Sequence, residues 1–228
     1  DLITSMSAQF TQQKNIVLGY GAYEKISNSF LNKIIRFETL LTATQYFSWA
    51  KIGKPYMGIG RNMAYKREEF FKVRGFMDHM KIRSGDDDLF INQAANGDNT
   101  TICYVPNSFT YSTPKTRFKD WFTQKRRHVS TAKHYKLFDR NQLGLFYVSQ
   151  LLFLLLPVVL LAFQYQWIAV VSIIGFRYLF AWLTLGFAAG KLKEKDVMYW
   201  FPIIEIVLIF TQLNVFITNT FSKPVHWK

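Results

Sequence analysis

From Asn141 to Phe176 the chain carries no charged side chain, a run of 36 positions. Water does not tolerate a surface of that kind, so this run dictates where the chain can fold. It contains LGLFYVSQLLFLLLPVVLLAF (143–163), long enough as a helix to cover a hydrocarbon core of about 30 Å. A short polar break, Gln164-Tyr165-Gln166, separates it from WIAVVSIIGFRYLFAWLTLGFAAG (167–190). After GKLKEKD comes a third run, VMYWFPIIEIVLIFTQLNVFI (197–217). Helices buried in a soluble core seldom stay apolar for so long, and three in succession are the pattern of membrane spans.

Charge divides the chain in the same place. Residues 1–140 hold 22 of the 28 Lys and Arg and 12 of the 15 Asp and Glu. The segment just before the first span, KTRFKDWFTQKRRHVSTAKHYKLFDR (115–140), has nine basic residues and two acidic ones, and Lys191, Lys193 and Lys195 link the second span to the third. The positive-inside bias puts both segments on the cytoplasmic side. Three crossings would then leave SKPVHWK outside, where its lysines fit poorly, so an interfacial or re-entrant segment stays open. Arg177 and Glu205 fall near the middles of their spans, where ionisable groups are costly and face a partner or a wet cavity. A structural ion pair and a substrate path both satisfy that rule. The net charge of +13 raises the question of nucleic acid. Its clustering beside a span is already explained by the membrane, and no soluble tail interleaves aromatic and basic residues as base stacking requires. The single cysteine, Cys103, excludes an internal disulfide.

The polar half reads as mixed α/β. IVLGYGAY (16–23) suggests a strand entering a glycine turn. Apolar residues at Phe30, Ile34, Phe37, Leu41 and Ala43 predict a helix over about 27–50, capped by Ser27 or Ser29. Its aromatic residues and interspersed cations suit either a membrane interface or an ordinary core. Gly58 and Gly60 give tight turn geometry before NMAYKREEFFKV, which reads as a short helix. The expected division is 1–114 for a globular part, 115–140 for a basic amphipathic helix at the membrane interface, and 141–228 for the membrane helices.

Two stretches carry chemistry. SGDDDLF (84–90) opens a helix near Asp86, with Ser84 and Asp87 spaced as a capping box. Carboxylates suit a helix N-terminus. Three in a row exceed that need, because neighbouring charges raise one another's pKa and make a carboxylate more basic, as general-base work requires. In WFTQKRRHVSTAKHY (121–135), Gln124 and Arg127 share a helical face, His128 is adjacent and Trp121 lies one turn earlier. The guanidinium fork fits phosphate oxygens and the aromatic ring can stack on a sugar or base. The same segment also fits a helix that binds anionic lipid headgroups.

A glycine turn with Arg61-Asn62, then SGDDDLF, then QKRRH, then membrane spans, resembles the membrane-bound family 2 glycosyltransferases, which include the cellulose, chitin and hyaluronan synthases and bacterial relatives. The resemblance runs from about Ile16 to the C-terminus. It implies the C-terminal part of a GT-A-type nucleotide-sugar transferase domain followed by about three transmembrane helices, in a bacterial inner membrane with the catalytic part cytoplasmic. It implies a nucleotide-diphosphate sugar donor, a lipid or polysaccharide acceptor, and Mg²⁺ or Mn²⁺. The family's acidic motif places the catalytic base on Asp86, with Asp87 the alternative and Asp88 a downstream helix acid. Its Q-x-x-R-W motif falls on Gln124, Arg127 and His128, the last a departure from the pattern of the processive synthases that leaves single addition open. Arg126 joins the donor-binding candidates. Gly60, Arg61, Asn62 and Trp121 are the acceptor-site candidates. The family's Asp-x-Asp metal motif is absent from residues 1–83, so no metal ligand is assigned and the chain is expected to be the second half of a catalytic domain. A membrane scaffold without catalysis is the competing expectation.

Overall fold

The computed structural model describes residues 1–80, 82 and 84–222. Its centre is β1 (Ile16–Gly19), flanked on one side by β3 (Met63–Tyr65), antiparallel, and on the other by β4 (Thr100–Cys103), parallel. All four residues of β1 are buried, which explains why IVLG is apolar at every position instead of alternating. A parallel pair, β2 (Gly21–Tyr23) with β5 (Thr110–Ser112), extends the scaffold, and α1 (Leu2–Ser7) buries Met6 against Val17 and Cys103. The pairing of β3 corrects one expectation. NMAYKREEFFKV is not one helix: Met63–Tyr65 aligns with Leu18–Ile16, and only Arg67–Lys72 is helical, as α3. The hydrogen bonds that β1 offers decide the local choice.

Helix α2 (Phe30–Lys51) starts at Ser29, whose hydroxyl accepts the Asn32 N–H at 3.2 Å. It is buried on more than one face, because the sheet lies on one side and the membrane-proximal helices on the other. That is why Arg36, mid-helix, is only 2 % exposed. Its guanidinium bonds Glu194 (2.8 Å from Nε) and Asp196 (2.6 and 2.8 Å), and Lys25 adds 2.7 Å to Asp196. These bonds fasten the loop between the second and third apolar helices onto the globular part, so both basic segments share one side, as the charge bias requires.

Among the described residues three helices are long and apolar enough to cross a membrane: α6 (Leu137–Ala162), α7 (Trp167–Lys191), and the segment Lys195–Phe221, which contains α8 (Phe201–Phe221) after a 3-10 turn. α6 buries no residue within the protein, as expected of a helix whose solvent is lipid. Arg177 and Glu205 do meet, in a two-pronged pair with one contact of 2.5 Å, and the guanidinium also lies over the rings of Phe153 (4.8 Å) and Tyr178 (5.0 Å). Each group neutralises the other in a medium that would not hydrate either. Arg177→Leu should therefore lower the yield of folded protein in detergent, and Arg177→Leu combined with Glu205→Leu should restore most of it. A double variant no better than the single one would show that the pair is not structural.

Candidate active site

The turn that starts helix α4 (Asp86–Ala94) rests on the end of helix α5 (Phe118–Thr131), three residues past QKRRH. The start of α4 is not a capping box. Its cap is Gly85, at φ +78°, and Ser84 makes no side-chain cap. Ser84 instead offers its carbonyl to the Thr131 hydroxyl at 3.0 Å, at the end of α5. A Cβ on Gly85 would lie 2.3 Å from the Thr131 methyl, and the positive φ disfavours any side chain there. Glycine is what lets the acidic N-terminus rest on the basic helix.

The three aspartates part company from there. Asp86 is exposed. Asp87 accepts the amide N–H of Gly60 at 2.6 Å, and a Cβ at Gly60 would press on that carboxylate at 2.9 Å. Asp88 retains some solvent contact yet is closely packed and hydrogen-bonded by Tyr135, with Tyr56 beside it. Burial, and then the charge of Asp87, raise its pKa well above the usual carboxylate range. One turn on, Asn92 donates to Tyr56 O (2.9 Å) and Asp139 (2.8 Å) and accepts the Lys136 N–H (2.9 Å), locking α4 to the head of α6.

On α5, Trp121 is 2 % exposed and donates to Glu38 at 3.3 Å, so its ring belongs to the core and has no face open for stacking. Lys125 also pairs with Glu38, and Gln124 is half-buried. Arg126 reaches α8, bonding the Asn219 side chain at 2.9 Å and the Ser222 carbonyl and hydroxyl at 2.7 and 2.8 Å. Burial lowers the pKa of Arg127, which nonetheless stays a cation at any physiological pH. His128 remains solvent-accessible, but the crowding of protein around it, followed by the charges of Lys125, Arg127 and Arg61, brings it down to about 4. At neutral pH it is an uncharged hydrogen-bonding group. As pH falls from about 6.5 toward 4, an unfolded chain binds a proton there that the folded one refuses, so stability declines across that window. His128→Gln should flatten that part of a thermal-melt pH profile, and an unchanged slope would refute the assignment.

Arg61 and Asn62 are tied into the scaffold. The Arg61 guanidinium donates to the carbonyls of Gly21 (2.8 Å) and Ala22 (2.9 Å) and lies over Tyr23. The Asn62 amide donates to Tyr20 O (2.8 Å) and Ser108 O (2.6 Å). Among the acceptor-site candidates only Gly60 touches an aspartate of the motif. Tyr135, Thr131 and Glu38 were not singled out from sequence. Asn92 had a usable signal, lying four residues after Asp88 on the same helical face. Among the described residues no group of three or more His, Cys, Asp or Glu side chains is placed to hold a metal ion. The donor set for Mg²⁺ or Mn²⁺ is thus not found here, and no chemistry below runs through a metal.

An exposed carboxylate thus stands at the N-terminus of a helix that rests on a helix of cations, with long apolar helices following in the chain. Residues 6–192 match the model of the family described as glycosyl transferase family group 2, and the chain belongs to that family. No curated protein and no solved structure matches the chain.

Proposed function

We propose that the protein is an inverting glycosyltransferase that moves a sugar from a nucleoside-diphosphate donor to a hydroxyl of a lipid or polysaccharide at the cytoplasmic face of the membrane. The observation that carries this reading is the contact of the SGDDDLF turn with the end of the helix that bears QKRRH, made by Ser84 and Gly85 on Thr131, more than forty residues away in sequence. Family membership supports glycosyl transfer in general.

A sugar hydroxyl is a weak nucleophile at neutral pH. Asp86, the exposed carboxylate, takes its proton as the oxygen attacks the anomeric carbon. The bond from that carbon to the diphosphate breaks, and the leaving group departs with the electron pair. Arg127 offsets the charge that develops there, while Gln124 and neutral His128 supply hydrogen bonds. A single displacement inverts the anomeric centre. Asp87 shapes the turn at Gly60, and Asp88, raised in pKa and bonded to Tyr135, supports the start of α4.

The test uses membranes carrying the full-length protein. They are supplied with radiolabelled UDP- and GDP-sugars, with Mg²⁺ or Mn²⁺, and label is followed into lipid and polymer fractions. Incorporation from one donor is expected, with the opposite anomeric configuration in the product. No incorporation from any donor by folded, inserted protein would favour a scaffold instead.

A further inference from the structure

We infer that α8 does not cross the bilayer but lies along its cytoplasmic surface, so that Ser222 is on the side of the globular domain. This does not depend on which sugar is moved. Both ends of α8 are fastened to that domain. At the start, the Phe201 ring stacks on Phe37 of α2 at 5.5 Å, one residue from Arg36 and its bonds to the loop before α8. At the far end, Asn219 and Ser222 are held by Arg126 of α5, and Asn219 donates back to the Arg126 carbonyl at 3.0 Å. Glu38, next to Phe37, pairs with Lys125, next to Arg126. The route from one end of α8 to the other therefore closes through two contacting helices of the globular part.

A span would place its two ends about 30 Å apart across the membrane, with one of them on the far side. Arg126 sits in a helix bearing Lys119, Asp120, Lys125 and Arg127 and cannot follow it there. By contrast, α6 and α7 join at Phe163 to Gln166, where exposed residues such as Phe163 and Tyr165 lie apart from the globular core. The last turns of α7 pack on α2, with Ala189 fully buried, and α7 meets the start of α8 at the Arg177–Glu205 pair.

The two faces of α8 agree with this placement. Ile204, Glu205, Thr211 and Val215 are buried along its length, so one face lies on protein from end to end. Ile203, Ile206, Phe210, Ile217 and Phe221 form an exposed apolar stripe on the other. Continuity with the lipid-facing side of α6 and α7 identifies the occupant of that stripe as the acyl-chain boundary of the same bilayer. Helix α5, with Gln124, Arg127 and His128, then rides on a membrane-embedded platform.

The test combines side and depth. In a Cys103→Ser background, Ser222→Cys, Asp98→Cys and Gln164→Cys are labelled with an impermeant maleimide in oriented vesicles. Ser222→Cys should react from the side of Asp98→Cys and opposite to Gln164→Cys. Nitroxides at Ile203→Cys, Phe210→Cys and Ile217→Cys should report immersion depths equal to within about 5 Å, one helical turn. A crossing helix would separate the first and last by about 21 Å. Such a gradient, or labelling of Ser222→Cys from the Gln164 side, overturns the inference.

Discussion

Asp86→Asn should lower the rate of sugar transfer by about 10²- to 10⁴-fold, the range removed with a general base, while leaving donor binding nearly intact. The substitution keeps the shape of the side chain and a polar group at the start of α4, so folding should survive. The neighbouring aspartates serve as controls. Asp87→Asn retains an oxygen that can accept the Gly60 N–H, now observed at 2.6 Å to the carboxylate, and should cost far less. Asp88→Asn replaces a carboxyl whose burial already favours the neutral form, and its effect should fall on thermal stability more than on turnover. Rates from a folded enzyme under saturating donor decide the matter. Undiminished transfer by Asp86→Asn would move the base to another residue, with Asp87 the first to examine.

Arg36→Met should destabilise the folded protein by about 3–5 kcal/mol, the loss typical when one partner of a buried ion pair is removed. Glu194, 2 % exposed, would be left as an uncompensated charge. Asp196 is about half exposed and still has Lys25, so it suffers less. Arg36→Met with Glu194→Met should recover most of the loss, because apolar groups of similar volume often replace a buried pair at little cost. Thermal unfolding in detergent, with protease cleavage in the 192–200 loop as a second readout, separates these cases. If Arg36→Met melts like the parent, the network does not fasten the loop.

The three long apolar helices were legible because their signal is collective, tens of consecutive apolar residues in each run. Helix α2 and its Ser29 cap followed from periodicity and local hydrogen bonding in the same way. The reading of Met63–Tyr65 as helix failed because a three-residue strand has no periodicity of its own, and β1 chose its state from 47 residues away. The cap of α4 failed for a related reason. Ser84 and Asp87 have the right spacing, but the packing of Gly85 against Thr131 sets the backbone there.

At the site, residue types and spacing alone marked the acidic and basic motifs. They could not rank three adjacent aspartates, since that ranking depends on burial, on Gly60 and on Tyr135, all distant in sequence. Nor could they show that Trp121 is enclosed by Glu38 or that Arg126 is committed to α8. The sequence by itself determined that a basic polar half is followed by three long apolar runs, and it marked one acidic and one basic motif, because those follow from hydrophobicity, charge and short-range spacing. Only the tertiary structure decided which aspartate faces solvent, which cations serve the scaffold and what holds the two ends of the third apolar helix, because each depends on contacts closed by parts of the chain far apart in sequence.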